Sequence, residues 1–452
     1  MKTLLTGIFN VFLLISHSQY NVGHTTITFN DPARTGGYGT GGGTGRQIQT
    51  EIYYPSLTAG ENVAVATGEY PVIVFGHGFA MAWDAYSNIW QRYASKGYIL
   101  AFPRTEGSLI PGPSHSDFGL DLSLVSEKMI ALNVNTSSLF YQRISGNSAI
   151  MGHSMGGGAS ILASSGNSSI KTVVGLAPAE TTPSAINAAT GVTVPALIFS
   201  GSSDGVTPPA DHHIPIYNGL GSTCKNFVSI SGGGHCYFAN TNFNCDFGES
   251  TSSSGISISR SQQQSITYSL LDPWLEYTLK DDCQALSLFI TQLSAVSGIT
   301  GSTTCSQNPS PTIIASGTIL TSSVTGIAYQ WYLNGSPITG ANAVQFDAQQ
   351  DGSYTVVVSF NDGCLLESNA YLIGSAGVLT QLKDEIIISP NPTSGKVNFQ
   401  SFNTDVTAVT VTNISGEIIN CPISNNEIDL TIHPKGVYFI GLNGNLYKVI
   451  KL

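Results

Sequence analysis

Short, nearly continuous apolar runs recur between residues 70 and 235: YPVIVFGHG (70–78), YILAFP (98–103), SAIMGHS (148–154), TVVGLAP (172–178), VPALIFSGSSD (194–204) and NFVSISGGGH (226–235). Runs this short and this uniformly apolar read as strands buried on both faces. Helical stretches, such as 85–95 and 156–164, separate most of them. Strands alternating with helices predict a mostly parallel sheet with crossover helices over residues 20–282. The pattern then changes. TIIASGTIL, AYQWYLNG, AVQFDA and GSYTVVVSF read as short strands with Asn-Gly and Asp-Gly turns, an all-β region over 283–382. From 383 to 452, three alternating stretches with Pro-Asn-Pro, Ser-Gly and Pro-Lys-Gly turns predict a second small β-sandwich.

Composition agrees with several domains and narrows the partners. The 452 residues exceed one domain of roughly 100–200. Only 10% are charged, where about 25% is usual, while 41% are hydrophobic and the mean hydropathy is +0.12. A disordered chain would be more charged and less apolar. With 17 basic against 28 acidic residues the net charge is −11, so no basic patch is available for nucleic acid or an anionic membrane. Residues 283–382 contain no Lys or Arg, which marks the composition shift at the expected domain boundary.

The first 19 residues, MKTLLTGIFNVFLLISHSQ, pair an early lysine with an apolar run too short to span about 30 Å of hydrocarbon. They read as a secretory signal peptide. Export permits disulfides among the seven cysteines, at 224, 236, 245, 283, 305, 364 and 421. The tail resembles the C-terminal sorting domain of the type IX secretion system of Bacteroidetes. Pro390-Asn391-Pro392 with Gly395, Asn413-Ile414-Ser415-Gly416 and Gly436-Val437-Tyr438-Phe439-Ile440 carry that resemblance. It implies a partner in the secretion machinery, export from a Gram-negative cell or display on its outer membrane, and removal of the tail with Cys421. Six cysteines would then remain to pair. Trp331 and the Asp351-Gly352-x-Tyr354 corner resemble an immunoglobulin-like sandwich, although Val356 stands where the usual second cysteine would be. That region reads as a spacer, with polymer or carbohydrate binding as the alternative.

The chemistry lies in Gly152-His153-Ser154-Met155-Gly156, a G-x-S-x-G set between an apolar run and a run of small residues. This is the context of a nucleophile on a sharp strand-to-helix turn. A serine needs a base, and the base an orienting acid. Asp204 follows the next-but-one strand and His235 the strand after that, so Ser154, Asp204 and His235 occur in α/β-hydrolase order, each at a strand's C-terminal end. Asp211 is a competing acid, expected inside the next helix. His212 and His213 have no third ligand at metal spacing and are expected on a helix surface. His77 is expected to shape its loop. The glycine-rich run 36–45 lacks a phosphate-loop lysine and reads as a flexible surface loop. Residues 104–121 are expected to line the substrate cleft.

HGF (77–79), GHSMGGG and PALIFSGSSDGVTPPADHHIPIYN followed by GGGH make residues 20–282 resemble the α/β-hydrolase superfamily, close to dienelactone-hydrolase-like and cutinase-like esterases. The resemblance implies an oxyanion hole from the backbone N–H groups of Phe79 and Met155, and no cofactor or metal. Ser154 departs from the cysteine of dienelactone hydrolases and favours ester hydrolysis. The loop Ala177-Pro178-Ala179-Glu180 lacks the tryptophan that polyester-cleaving cutinases carry there. The expected activity is carboxylic ester hydrolysis by a monomer through an acyl-enzyme. Polyester depolymerisation, a peptidase or acyltransferase, and a non-catalytic binding protein are the alternatives. Among the cysteines, a Cys236–Cys245 bridge beside His235 is preferred. Cys224 with Cys283 and Cys305 with Cys364 would follow, the first two bridges being one of three pairings open to those four cysteines.

Overall fold

The computed structural model describes residues 19–361, 363–374, 387–389, 391, 393–400, 409–413, 417–424, 426–442 and 445–451. The expected signal peptide lies outside these except at residue 19, as do Pro390, Pro392, Ile414, Ser415 and Gly416 of the tail pattern.

The large sheet has eleven strands, two of them only two residues long (Gly37–Tyr38 and Gly60–Glu61). The nine longer ones are β1 (Asn21–Asp31), β2 (Arg46–Ser56), β3 (Tyr70–Gly76), β4 (Ile99–Pro103), β5 (Ile144–His153), β6 (Thr172–Leu176), β7 (Ala196–Gly201), β8 (Lys225–Ile230) and β9 (Ile299–Thr303). Their spatial order is β9-β8-β7-β6-β5-β3-β4-β2-β1. The five pairings from β4 through β8 are parallel. β1 with β2, β2 with β4, and β8 with β9 pair antiparallel. Every residue of β3, β4, β6 and β7 is buried, as their unbroken apolar runs require.

Alternation along the strands feeds two cores. Ile73, Phe75, Leu100, Phe102 and Met151 face one core with α1 (Ser87–Ser95), α6 (Arg260–Lys280) and α7 (Cys283–Ala295). Val72, Val74, Ile99, Ala101 and Ile150 face the other with α2 (His115–Ala131) and α3 (Met155–Ser164). Helices α4 (His213–Gly219) and α5 (Phe243–Ser252) border the loops that carry the acid and the histidine.

Three sequence expectations change. The α/β unit does not stop at 282: it runs to Asn308 and takes in α7 and β9. Leu286, Phe289 and Leu293 of α7 enter its core, and β9 adds an edge strand to β8. The sequence of β9, ITGST, is too polar to announce itself as a strand. Cys224 bonds Cys305, so neither the 224–283 nor the 305–364 pairing stands. The bridge follows from that edge strand, which carries Cys305 back beside the start of β8. The glycine-rich run is not merely a flexible loop. Gly37–Tyr38 pairs in parallel with Gln47 and Ile48 of β2, and the Gly42 N–H donates to the Gln47 side chain.

In the second unit, Pro309–Leu452, the described residues form strands and no helix. The strands Ala328–Leu333 and Gly352–Ser359 pair in its larger upstream sheet. Trp331 is buried there and donates to the Ala343 carbonyl. The Tyr354 hydroxyl closes its corner on the Gln350 carbonyl at 2.7 Å. In the tail, strands Gly436–Leu442 and Asn445–Lys451 form a hairpin whose Tyr438, Ile440, Leu442 and Val449 share a core with Val397 and Ile428.

Candidate active site

β5 ends at His153 and α3 begins at Met155, leaving Ser154 alone on the turn. Its φ of 56° and ψ of −123° are costly for a residue with a Cβ, about 1–3 kcal/mol. Neighbouring backbone over-determines this conformation. The Ser154 N–H donates to Leu176 O at 3.0 Å, and Ser154 O accepts from Ala179 N at 2.9 Å. The flanking glycines allow the crossing. A Cβ on Gly152 would sit 2.2 Å from the Gly156 carbonyl oxygen, and one on Gly156 would sit 2.2 Å from the Gly76 backbone.

Asp204 and His235 meet at the ends of β7 and β8. His235 Nδ1 lies 2.7 Å from Asp204 Oδ2. The other oxygen, Oδ1, accepts the backbone N–H groups of Val206 (2.9 Å) and Thr207 (2.8 Å). Thr207 Oγ1 adds a donor to Oδ2 at 3.0 Å. Burial pushes the Asp204 carboxyl up, but the pull of His235 and the Thr207 amide outweighs it and holds the group below its ordinary value. Asp211 does not compete: it sits exposed in the turn before α4 rather than inside a helix.

His235 is fixed at three further points. The Glu249 carboxylate of α5 accepts the His235 N–H and, at 3.0 Å, the Cys236 N–H. The His235 carbonyl accepts from His153 Nε2 at 3.0 Å, and the two imidazoles lie 4.7 Å apart between centroids. The histidine is thereby tied to the residue preceding Ser154. Ser154 Oγ has no hydrogen-bond partner among the described residues, and in unliganded hydrolases the serine–histidine bond often tightens only with substrate bound.

Burial, and then the nearby His235, keep His153 well below its ordinary pKa and neutral. Its Nε2 must carry the proton, since a carbonyl accepts there. Nδ1 therefore accepts from Tyr86 Oη at 3.0 Å, and Tyr86 Oη accepts the Gly78 N–H at 2.8 Å. This chain links the Gly78–Phe79 loop to the serine turn. His77 faces Gly78 O and Thr105 O, each at 2.9 Å, and shapes its loop as expected. Neither Phe79 N–H nor Met155 N–H has an acceptor among the described residues. Phe79 is half exposed and Met155 is buried.

His213 overturns the surface expectation. It is fully buried, with Nδ1 2.8 Å from Ser200 Oγ and Nε2 3.0 Å from Thr207 Oγ1. His212 is half-buried and accepts the Glu180 N–H at 2.8 Å, bracing the loop 177–180. Sequence reasoning assigned no role to His153, Thr207 or Glu249, and only the Asp-x-x-Thr spacing of an Asx-type turn hinted at Thr207.

Cys236 and Cys245 are bonded as expected and close a nine-residue separation next to His235. Among the described residues, Cys236, Asp246 and Glu249 are the group of three close enough to share an ion. The Cys236 sulfur is spent in the disulfide, Asp246 pairs with Arg260 and Glu249 holds amides, so the group is structural. Replacing both bridge cysteines by alanine is expected to cost about 2–3 kcal/mol from loop entropy. Differential scanning calorimetry should show the α/β unit melting roughly 5 °C or more lower.

Part of the 104–121 segment lines a cleft of about 640 Å³. Arg104, Glu106 and Pro111 contribute, with Tyr38, Met81 and Trp83, but Ser154 and His235 do not border it. The Arg104 guanidinium lies over the rings of Trp83 (4.2 Å) and Tyr38 (4.8 Å).

Residues 15–257 match the PET hydrolase-like family, more than half of the chain. The chain belongs to that family. Residues 388–452 match the secretion system C-terminal sorting domain. Cutinase est1 of Thermobifida alba is 27% identical over 218 residues, 47% of this chain and 64% of the relative. A bis(hydroxyethyl) terephthalate hydrolase of Streptomyces coelicolor is 28% identical over 200 residues, 44% of this chain and 56% of the relative. Cutinase 1 of Thermobifida cellulosilytica is 28% identical over 215 residues, 47% of this chain and 72% of the relative. The chain thus spans less than two thirds of the first two relatives.

Proposed function

We propose that the chain is a serine hydrolase of carboxylic esters that works through Ser154, His235 and Asp204. The carrying observation is the 2.7 Å bond between His235 Nδ1 and an Asp204 carboxylate already saturated with donors, beside a serine on a strained turn. Asp204 fixes the tautomer of His235 and leaves Nε2 as the base. As the hydroxyl attacks the ester carbonyl, Nε2 takes the Ser154 proton. The unpaired N–H groups of Phe79 and Met155 receive the oxyanion, each worth about 10²–10³ in rate. His235 returns the proton to the leaving alcohol, and water, deprotonated by the same nitrogen, cleaves the acyl-enzyme.

A polyester is the second reading, favoured by the family match and by the half-exposed ring of Phe79. The absence of tryptophan from residues 177–180 weighs toward smaller esters. The sorting-domain match supports export by the type IX route with the ester met outside the cell. No helix among the described residues is long and apolar enough to cross a membrane.

The test is labelling with diisopropyl fluorophosphate and peptide mapping, beside a panel of short and long p-nitrophenyl esters, a polyester film and peptide anilides. Modification at Ser154 with ester turnover supports the reading. An unlabelled Ser154, or cleavage of anilides alone, overturns it.

A further inference from the structure

A fully buried histidine needs a reason, because a leucine would fill the same space without placing two polar nitrogens in the core. His213 has both nitrogens engaged, by Ser200 Oγ at 2.8 Å and Thr207 Oγ1 at 3.0 Å, and its Nε2 lies 3.7 Å from Asp204 Oδ2. Burial lowers its pKa to about 3, so it is a neutral ring with a single N–H. The direction of each hydrogen bond is then forced. The Asp204 carboxylate only accepts, so the Thr207 hydroxyl spends its proton on Oδ2. Thr207 Oγ1 therefore turns a lone pair to His213, whose Nε2 must carry the hydrogen. Nδ1 is left to accept the Ser200 hydroxyl proton. The donors run in one line, Ser200 to His213 to Thr207 to Asp204.

Thr207 Oγ1 also lies 2.9 Å from His235 Nδ1. A hydroxyl free to rotate there would turn its proton off Oδ2 and leave the Asp204 carboxylate one donor short. The His213 N–H occupies that oxygen and polarises its O–H toward the carboxylate. We propose that His213 is a positioning residue for the catalytic acid, acting through Thr207 to keep that hydroxyl donating to the Asp204 carboxylate. The inference rests on the ester-hydrolase reading above. Its parts come from three elements, Ser200 from β7, Thr207 from the following loop and His213 from α4. The charged or titratable groups facing His213 are Asp204 and His235, since His212 turns to the Glu180 amide.

The test compares H213L, H213Q, T207V and the H213L/T207V double variant with the wild type, using p-nitrophenyl butyrate across pH. Glutamine reaches the same donor position, so it should retain most activity. H213L should lower kcat by about 10- to 100-fold, the usual scale for a hydrogen-bond partner one residue removed from the chemistry, with KM unchanged. Without the Thr207 donor, charge concentrates on Asp204 and stabilises protonated His235, so the acid limb of kcat/KM should move to higher pH. T207V should match H213L, and the double variant should be no worse than either. Wild-type kcat with an unmoved acid limb in H213L overturns the proposal. So do equal losses in H213L and H213Q, or losses that multiply in the double variant. If H213L does not fold, H213Q and T207V decide through the same acid limb. S154A separates the two levels. An active S154A overturns the hydrolase reading and this proposal together, whereas an inactive S154A with a wild-type-like H213L overturns the role of His213 alone.

Discussion

Replacing Ser154 by alanine is expected to lower kcat for p-nitrophenyl ester hydrolysis by about 10⁶ while the melting temperature stays within a few degrees of the wild type. The size follows from the way the three groups act as one unit. Without the hydroxyl, His235 has no proton to take and Asp204 nothing to orient, so only the oxyanion donors and substrate binding remain. The fold should be indifferent. Ser154 Oγ has no partner among the described residues, and alanine keeps the Cβ, so the strain at φ 56° is unchanged. Active-site titration with an organophosphate, followed by single-turnover kinetics, measures the loss. Retention of more than about one per cent of wild-type kcat would remove Ser154 from the mechanism.

Asp204→Asn should be the next largest effect, about 10⁴ in kcat. Its cause lies in the loop. Two backbone N–H groups, of Val206 and Thr207, point at the position of Oδ1. An asparagine must place its carbonyl there, since an NH₂ would face two donors. The NH₂ then takes the place of Oδ2 and faces His235 Nδ1, which must accept. The imidazole is left with its hydrogen on Nε2, pointing at the serine instead of a lone pair. Stability should fall modestly, because the neutral amide keeps the loop bonds. The pH profile gives a second readout. The Asp204 carboxyl titrates below its ordinary value, so its ionisation contributes stability at neutral pH that is lost as the pH falls through the folded-state value. D204N should flatten that acid-side loss of stability, measured as melting temperature against pH. A variant with near-wild-type kcat would show that another acid supports His235.

The large sheet was readable before any coordinates because its buried strands have no polar face. An unbroken run such as VIVFG or ALIFSG has no other economical use in a soluble domain. Ser154 was legible because its turn demands glycines at fixed offsets, and Asp204 and His235 because α/β sheets gather their sites at strand ends. His213 misled for a physical reason. ADHHIPIYN looks like a polar helix start, and nothing local says that the second histidine turns inward to Ser200, 13 residues away. Glu249 lies in a helix with little apolar pattern, so its grip on the His235 and Cys236 amides left no trace in the sequence. The boundary at 282 failed because β9 earns its place by pairing with β8 rather than by its own propensity.

The sequence by itself determined the α/β class, the nucleophile turn and the chain order of the three chemical groups. All are local, set by residue type and spacing within a turn, a strand or a short loop. Only the tertiary structure decided that Cys224 bonds Cys305 across 81 residues. Only it decided that His153 ties the serine turn to His235, and that Ser200, Thr207 and His213 converge behind Asp204. Those choices depend on which buried polar atoms come within about 3 Å of one another once the sheet has closed, a distance that no sequence spacing encodes.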